Sequence, residues 1–301
     1  MNIDLSLIEK YFANTPDIIT GYLSAIDYQL ILRRDINRKN LHKWEKYKSI
    51  IVIAKSYHKH VPEKPADFPR GRFSVMGADT DYHIQLRETI EGLAGYLSRL
   101  YDFRYALHVD TGPINERAVA CYAGLAKPTR SGAVVSRLGS MFNIGLLLID
   151  ADLGAGRAQS ALLAHATEPG GFWGSEKAEL CADCRLCADA CPTGAIDAND
   201  LGRCISYRTQ TDNLTNTDYI SDYLYGCDIC GLSCPYNNGA EHGEFTDPNA
   251  LYPFLDDILL LTQNEFDNKY QTKACYWIGL ERIKRNARNI YGLLEQRPKR
   301  T

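Results

Sequence analysis

The sequence contains no apolar run long enough to cross a bilayer. Its longest apolar segment lies at residues 144–149, whereas a membrane-spanning helix needs about 20 apolar residues. The N-terminal segment MNIDLSLIEKYFANT also lacks the basic stretch followed by an apolar run that marks a secretory signal. We therefore expect a soluble, cytoplasmic protein with no membrane partner.

The sequence also lacks an excess of charge of either sign. Lys and Arg total 34, Asp and Glu total 37, and the net charge is -3. This balance supplies no overall attraction for nucleic acid or for an anionic membrane, so any nucleic-acid contact has to be local. The chain has 301 residues, 45% of them hydrophobic, enough to bury the core of one large domain or two smaller ones.

Cysteine is the residue type that the sequence has in unusual number and distribution. There are ten cysteines, and a disulfide framework would require an oxidising compartment for which the chain shows no signal. Eight of them fall between Cys181 and Cys234, while Cys121 and Cys275 stand alone, as buried small hydrophobic side chains often do. Metal ligation is the leading explanation for the eight.

The segments outside the cysteine-rich region predict a mixed α/β fold. Strands are predicted at residues 49–54, 103–109, 133–136 and 144–149. A helix with apolar residues at helical spacing from Leu86 to Leu100 follows an N-cap at Asp79 or Thr80, and a second helix is predicted at 114–125. A Gly- and Ala-rich linker follows, and an amphipathic helix is predicted at 274–295. We divide the chain into an α/β domain (1–172), a cysteine module (173–245) and a C-terminal helical segment (246–301) that packs on the first domain.

The first cysteine motif is CADCRLCADACP, which holds Cys181, Cys184, Cys187 and Cys191, followed by Pro192. This is the spacing of bacterial ferredoxins, in which three cysteines bind one 4Fe-4S cluster and the fourth binds a neighbouring cluster. A second set is present as Cys204, Cys227, Cys230 and Cys234. The cross-ligation rule assigns Cys181, Cys184, Cys187 and Cys234 to one cluster and Cys191, Cys204, Cys227 and Cys230 to the other.

Two other interpretations of these cysteines are open. Two four-cysteine zinc sites would need only C-x-x-C pairs and would impose neither the triple spacing nor the following proline. A thioredoxin-like redox pair at Cys227 and Cys230 would leave six nearby cysteines unexplained. Iron-sulfur clusters transfer single electrons and do not themselves carry out the reaction. The catalytic site, to which they would deliver electrons, is therefore expected in the N-terminal domain.

Several segments along the chain resemble the epoxyqueuosine reductase family, which is related to reductive dehalogenases. They are KSIIVIAKSY, GADTDYH, VDTGPINERAVACYAGL, LGSMFNIGLLL, CISY, GCDICGLSCPYN and RIKRNARN, together with Arg33 and Asp35. The resemblance implies a nitroreductase-like α/β domain that holds cobalamin, a ferredoxin-like double 4Fe-4S module and a C-terminal helix. It also implies reduction of the epoxide of epoxyqueuosine in a transfer RNA anticodon loop, with electrons from an external low-potential donor such as flavodoxin or ferredoxin.

The resemblance further implies roles for individual residues. Asp110 would be the proton donor, provided that burial raises its pKa, and Arg33, Ser206 and Asp228 would contact cobalamin. From the residues alone, Asp110 could instead cap the helix that begins near Ile114. Three histidines, His58, His83 and His108, are interpreted as hydrogen-bonded structural residues rather than cobalt ligands.

One loop departs from the family. After YAGL the chain reads AKPTRSGAVVS from Ala126, where the family has a loop of the G-W-I-G-K-N type, and Pro128 and Thr129 cannot copy a backbone that relies on glycine.

Contacts with RNA would be made by a set of basic residues: Arg282, Lys284, Arg285, Arg288, Arg297, Lys299 and Arg300. The alternative is that these residues form a solvated helix face with a basic end.

Two further functions stay open, an electron-transfer protein without cobalamin and a reductase of another small molecule.

Overall fold

The computed structural model describes residues 2–24, 44–57, 60–67, 69–111, 114–153, 181, 183–212, 221–240, 243 and 248–295. These residues divide into two compact units. The first unit comprises Met1–Tyr57 and His83–Cys184, and the second comprises His58–Tyr82 and Arg185–Thr301. The cysteine segments from Arg185 onward therefore share a unit with the C-terminal helices and with a segment from the N-terminal half, a division that differs from the three continuous regions predicted above.

Eight strands are described. They are β1 (Ile18–Leu23), β2 (Ser49–Ser56), β3 (Arg72–Phe73), β4 (Tyr105–Val109), β5 (Lys127–Pro128), β6 (Val134–Val135), β7 (Phe142–Ile149) and β8 (Tyr223–Tyr225).

The described α-helices are α1 (Leu5–Tyr11), α2 (Val75–Ala78), α3 (Tyr82–Ser98), α4 (Glu116–Tyr122), α5 (Leu186–Ala190), α6 (Ala195–Ala198), α7 (Ile205–Gln210), α8 (Ile229–Leu232), α9 (Pro248–Leu251), α10 (Leu255–Leu260), α11 (Gln263–Tyr270) and α12 (Leu280–Glu295). Short 3-10 turns lie at Leu201–Arg203, Pro235–Asn237 and Tyr276–Ile278.

The core of the first unit is a four-stranded antiparallel sheet in the order β1-β2-β7-β4. The central strand β2 is buried at seven of its eight positions, which explains why its sequence SIIVIAKS is apolar almost without interruption. The predicted strands at 49–54, 103–109 and 144–149 correspond to β2, β4 and β7. Sequence reasoning missed β1, whose apolar run is interrupted by Thr20 and Gly21.

Helix α3 packs its apolar stripe on this sheet. Leu86, Ile90, Leu93 and Leu97 are fully buried, as their helical spacing predicted, while Leu100 lies beyond the helix end and is 57% exposed. The close approach needs Gly145 in β7, because a Cβ atom there would come within 2.6 Å of the Ile90 Cδ1 atom. The helix predicted at 114–125 is the shorter α4.

The second unit is built on the parallel pair β3 and β8, against which the C-terminal helices pack. Phe73, Leu224, Leu255, Phe266 and Ile283 are among the side chains of its buried core. Helix α12 contacts β8, α7 and α10. The C-terminal helix predicted from residue 274 begins instead at Leu280, because Gly279 adopts a positive φ of 79° after a 3-10 turn.

Several of the sequence predictions fall on residues that the structure does not describe. These are Arg33, Asp35, His58, the linker before Cys181 and the basic tail residues Arg297, Lys299 and Arg300. Within the described ranges, no helix is long and apolar enough to cross a membrane.

Candidate iron-sulfur and catalytic site

Six of the eight clustered cysteines lie in the second unit, at or beside the ends of short helices. Cys187 is in α5 and Cys191 follows it; Cys204 directly precedes α7, Cys227 and Cys230 flank the start of α8, and Cys234 precedes a 3-10 turn. Helices α5 and α8 pack on each other. All ten cysteine thiols are free of disulfides.

The thiols around Cys230 form one electrostatic group. Burial, together with the neighbouring thiols of Cys204, Cys187 and Cys191, raises the pKa of Cys230 to about 11. Burial likewise raises the pKa of Cys227 to about 12. Buried thiolates this close together repel one another, and a bound cationic metal centre removes that penalty. The donor set therefore fits an iron-sulfur cluster.

Among the described residues, no group of three or more His, Cys, Asp or Glu side chains is arranged to hold a single metal ion. A 4Fe-4S cluster makes a different demand. Its four thiolates each bind a different iron atom, so their sulfur atoms do not converge on one point.

A buried amide joins the two chain segments that carry Cys204 and Cys227. Asn286 of α12 has no exposed surface, and its Nδ2 atom donates to the carbonyls of Thr209 (2.9 Å) and Leu224 (2.8 Å). Thr209 lies in α7, behind Cys204, and Leu224 lies in β8, just before Cys227. One side chain thus fixes the distance between segments that are far apart in sequence.

The backbone before Cys227 is held by further hydrogen bonds. The Thr209 hydroxyl accepts from the Gly226 N–H at 2.9 Å. Gly226 has a φ of 70°, and a Cβ atom there would lie 2.3 Å from the Ser74 Oγ atom. Glycine is therefore required at this position, both for its conformation and for the space it leaves.

Asp228, predicted from the resemblance to contact cobalamin, is buried in a polar cluster of its own unit. Its Oδ2 atom accepts from the Val75 N–H at 3.0 Å and lies 3.7 Å from the Arg72 Nη2 atom. Burial raises the pKa of Asp228 to about 6, although the Val75 hydrogen bond and the Arg72 charge act in the opposite direction. The Tyr223 hydroxyl accepts from the Asp228 N–H at 3.2 Å. Sequence reasoning missed Arg72, Tyr223 and Asn286.

Ser206, the other described residue predicted to contact cobalamin, lies in the first turn of α7. Its hydroxyl accepts a hydrogen bond from Gln210 Nε2 at 3.1 Å, and its carbonyl accepts from the same nitrogen at 2.8 Å. The residue is half-buried. Its contact with cobalamin stays a prediction, as does that of Asp228.

Asp110 lies in the first unit, directly after β4. It is one of two described non-glycine residues with a positive φ, here 53°, a conformation that costs an L-residue about 1–2 kcal/mol. Its side chain is 60% exposed, and its Oδ2 atom lies 3.6 Å from the His83 Nε2 atom. The burial on which the pKa argument for this residue depended is therefore not seen in this conformation.

The alternative role of Asp110 as a helix cap is wrong. The N-cap of α4 is Asn115, whose side chain accepts from the Ala118 N–H at 3.1 Å. Backbone strain at a residue that neither caps a helix nor packs in a core is typical of functional positions.

The loop that carries Asp110 is anchored by a buried histidine. His108 of β4 places its Nε2 atom 3.1 Å from the Ile114 carbonyl and 2.9 Å from the Glu116 Oε1 atom. His108 is thus a hydrogen-bonded structural residue, as predicted. Arg117, in the same segment VDTGPINERAVACYAGL, donates from Nη1 to the Gly132 carbonyl at 2.8 Å and so connects α4 to the β5–β6 hairpin.

The predicted basic surface of α12 is only partly available. Arg282 forms two hydrogen bonds with the Asp212 carboxylate, at 2.5 and 2.6 Å, and Arg285 donates to the Thr211 carbonyl at 2.5 Å. Both arginines therefore hold α12 against the segment that follows α7. Arg288 is exposed and Lys284 half-buried.

The fold and the cysteine set define an iron-sulfur oxidoreductase. Residues 180–237 match the family model of the 4Fe-4S double cluster binding domain, which confirms the predicted two-cluster module. Residues 38–111 match the model described as epoxyqueuosine reductase QueG, DUF1730. An epoxyqueuosine reductase of Lactococcus garvieae is 34% identical over 263 residues, which cover 83% of this chain and 69% of that relative. The chain belongs to the epoxyqueuosine reductase family.

Solved structures agree in fold. The epoxyqueuosine reductase of Streptococcus thermophilus superposes with a TM-score of 0.79 at 28% identity, over 98% of this chain and 83% of that one. An epoxyqueuosine reductase with an epoxyqueuosine-modified tRNA stem loop gives a TM-score of 0.75 at 26% identity, over 95% and 80% of the two chains. A Bacillus subtilis enzyme, whose aspartate-bearing catalytic loop is swung out of the active site, gives 0.73 at 26% identity, over the same shares. The predicted mixed α/β fold is thereby confirmed.

Proposed function

We propose that this chain reduces the epoxide of epoxyqueuosine in a transfer RNA, with Asp110 as proton donor and electrons supplied through two 4Fe-4S clusters. The observation that carries the proposal is Asp110, held in a strained, exposed turn after β4 and 3.6 Å from His83. The related Bacillus subtilis enzyme has an aspartate-bearing catalytic loop that swings out of its active site.

Reduction of the epoxide consumes two electrons and two protons, forms a carbon–carbon double bond and releases the oxygen as water. Side chains of the protein can supply the protons for this reaction. Asp110 would protonate the departing oxygen as a general acid. The His83 Nε2 atom, 3.6 Å from the Asp110 Oδ2 atom, could orient this carboxyl group.

The clusters would be held by the two cysteine sets assigned from the spacing rule. The thiols of Cys204, Cys187 and Cys191 all act on Cys230, so thiols of both sets are grouped, and their division between the two clusters rests on the spacing rule. Cobalamin, when bound, would supply a low-valent cobalt as reductant. Arg33, Ser206 and Asp228 are its proposed contacts; the Asp228 carboxylate also accepts a hydrogen bond from the Val75 N–H.

Exposed basic and aromatic side chains, rather than the net charge of the chain, would bind the substrate stem loop. Arg288 and Lys284 are the described basic residues of α12 that remain for this role, since Arg282 and Arg285 brace the helix. An external low-potential donor such as flavodoxin or ferredoxin would supply the electrons.

The test is anaerobic reconstitution of the chain with iron and sulfide, addition of cobalamin, and assay on a tRNA stem loop that contains epoxyqueuosine. Conversion to queuosine is expected. Full clusters and a bound corrinoid without any conversion would contradict the substrate. Full clusters without corrinoid binding would instead support an electron-transfer protein.

A further inference from the structure

The loop that departs from the family pattern forms a short hairpin with an arginine at its tip. Strands β5 and β6 pair through Lys127 with Val135 and Pro128 with Val134. The turn is closed by Thr129, whose N–H and hydroxyl both donate to the Ala133 carbonyl at 3.0 Å. The turn backbone is also held from outside by the Arg117 hydrogen bond to Gly132. The backbone on either side of Arg130, the residue at the tip, is therefore held by hydrogen bonds.

From this position, Arg130 donates hydrogen bonds to the backbone of the first cysteine motif. Its Nε atom donates to the Cys184 carbonyl and its Nη2 atom donates to the Cys181 carbonyl, both at 3.1 Å. Nε and Nη2 form one edge of the planar guanidinium, so a single rigid group binds two carbonyls that are three residues apart. Lysine has no equivalent pair of fixed donors.

The contact also has an electrostatic consequence. Arginine stays protonated in proteins, so these two hydrogen bonds place a permanent positive charge beside the segment that carries Cys181 and Cys184. A 4Fe-4S cluster with four thiolate ligands is anionic and gains a further negative charge on reduction. A nearby cation therefore favours the reduced state and raises the reduction potential.

We propose that Arg130 is a positioning residue for the cluster bound by Cys181 and Cys184: it holds their backbone and raises the reduction potential of that cluster. The inference rests on the proposed ligand assignment. It gives the divergent hairpin a role in setting the potential of one cluster of the pair, independent of the substrate.

The test compares the full chain with Arg130→Gln, Arg130→Lys and, as matched control, Lys127→Gln, which removes an exposed cation from the same hairpin. Iron content is measured, and both midpoint potentials are determined by an EPR-monitored redox titration. In Arg130→Gln, we expect a lower midpoint potential for one cluster and an unchanged one for the other. Arg130→Lys should shift that potential less, because the charge is kept, and Lys127→Gln should resemble the wild type.

The outcomes separate the inference from the ligand assignment. Selective loss of one cluster in Arg130→Gln would support the positioning role. Two full clusters with unchanged potentials in that variant would overturn the inference, as would an equal shift in Lys127→Gln. A wild-type chain that binds fewer than two clusters would contradict the ligand assignment instead.

Discussion

Arg117 Nη1 donates a 2.8 Å hydrogen bond to the carbonyl of Gly132, and this contact joins the helix that follows Asp110 to the hairpin that carries Arg130. Arg130 in turn binds the carbonyls of Cys181 and Cys184. Within the first unit, hydrogen bonds therefore connect α4 to the hairpin and the hairpin to the first cysteine segment.

Asp110→Asn should reduce epoxide turnover about 10²- to 10⁴-fold, the usual contribution of a general acid. The substitution keeps the shape of the side chain and removes only its proton-donating function. Cluster content and corrinoid binding should be unchanged, because Asp110 is exposed and neither caps α4 nor packs in the core. Single-turnover conversion of the modified stem loop measures the effect.

Asp102→Asn is the matched control for this prediction, since Asp102 is an exposed aspartate shortly before β4. It should turn over as the wild type does. Wild-type turnover in Asp110→Asn would remove the assigned role from that residue.

Asn286→Ala should lower the midpoint of urea-induced cluster loss. Asn286 is fully buried and donates to two carbonyls, of Thr209 and Leu224, in the segments that carry Cys204 and Cys227. A buried carbonyl left without its donor costs about 1–3 kcal/mol. Two such losses should release iron at lower urea, as followed by the visible absorbance of the clusters under anaerobic conditions.

Asn289→Ala supplies the comparison on the same helix. Among the described residues, the Asn289 Nδ2 atom has no hydrogen-bond partner. Its replacement should shift the urea midpoint little. Equal shifts for the two variants would show that the amide of Asn286 has no special role in holding the cysteine segments.

The sequence predicted the strands β2, β4 and β7 and the stripe of α3 because their apolar periods are long and regular. It also predicted the two-cluster module, since cysteine spacing reports ligand geometry directly. The contacts of Asn286, Arg72 and Arg130 were not predictable, because each joins residues far apart in the chain. In the segment RIKRNARN, the positive charge of the arginines predicted contacts with RNA. Two of them, Arg282 and Arg285, instead hold α12 against the segment that follows α7, and the neutral Asn286 donates the buried hydrogen bonds.

Gly226→Ala should destabilise the Cys227 segment more than Gly239→Ala. Both glycines have a positive φ, of 70° and 72°, so both variants carry the cost of about 1–2 kcal/mol for a left-handed alanine. At Gly226 the new Cβ atom would also lie 2.3 Å from the Ser74 Oγ atom, whereas at Gly239 nothing lies within 4 Å. Iron content after reconstitution and the thermal midpoint of cluster loss measure the difference. Indistinguishable variants would show that Ser74 moves aside freely.

Removal of iron should loosen the two units to different degrees. In the second unit, Cys204, Cys227 and Cys230 lie beside short helices with few turns of their own, so binding of the cluster contributes to the order of those segments. In the first unit, β2 and β7 pair along their whole length within an apolar core. Hydrogen exchange followed by mass spectrometry should therefore show faster exchange in α7, β8 and α8 of the chelated chain, with β2 and β7 still protected. Reloading with iron and sulfide should restore the slow exchange. Equal loss of protection in the sheet would mean that the clusters stabilise the whole chain rather than the segments that bind them.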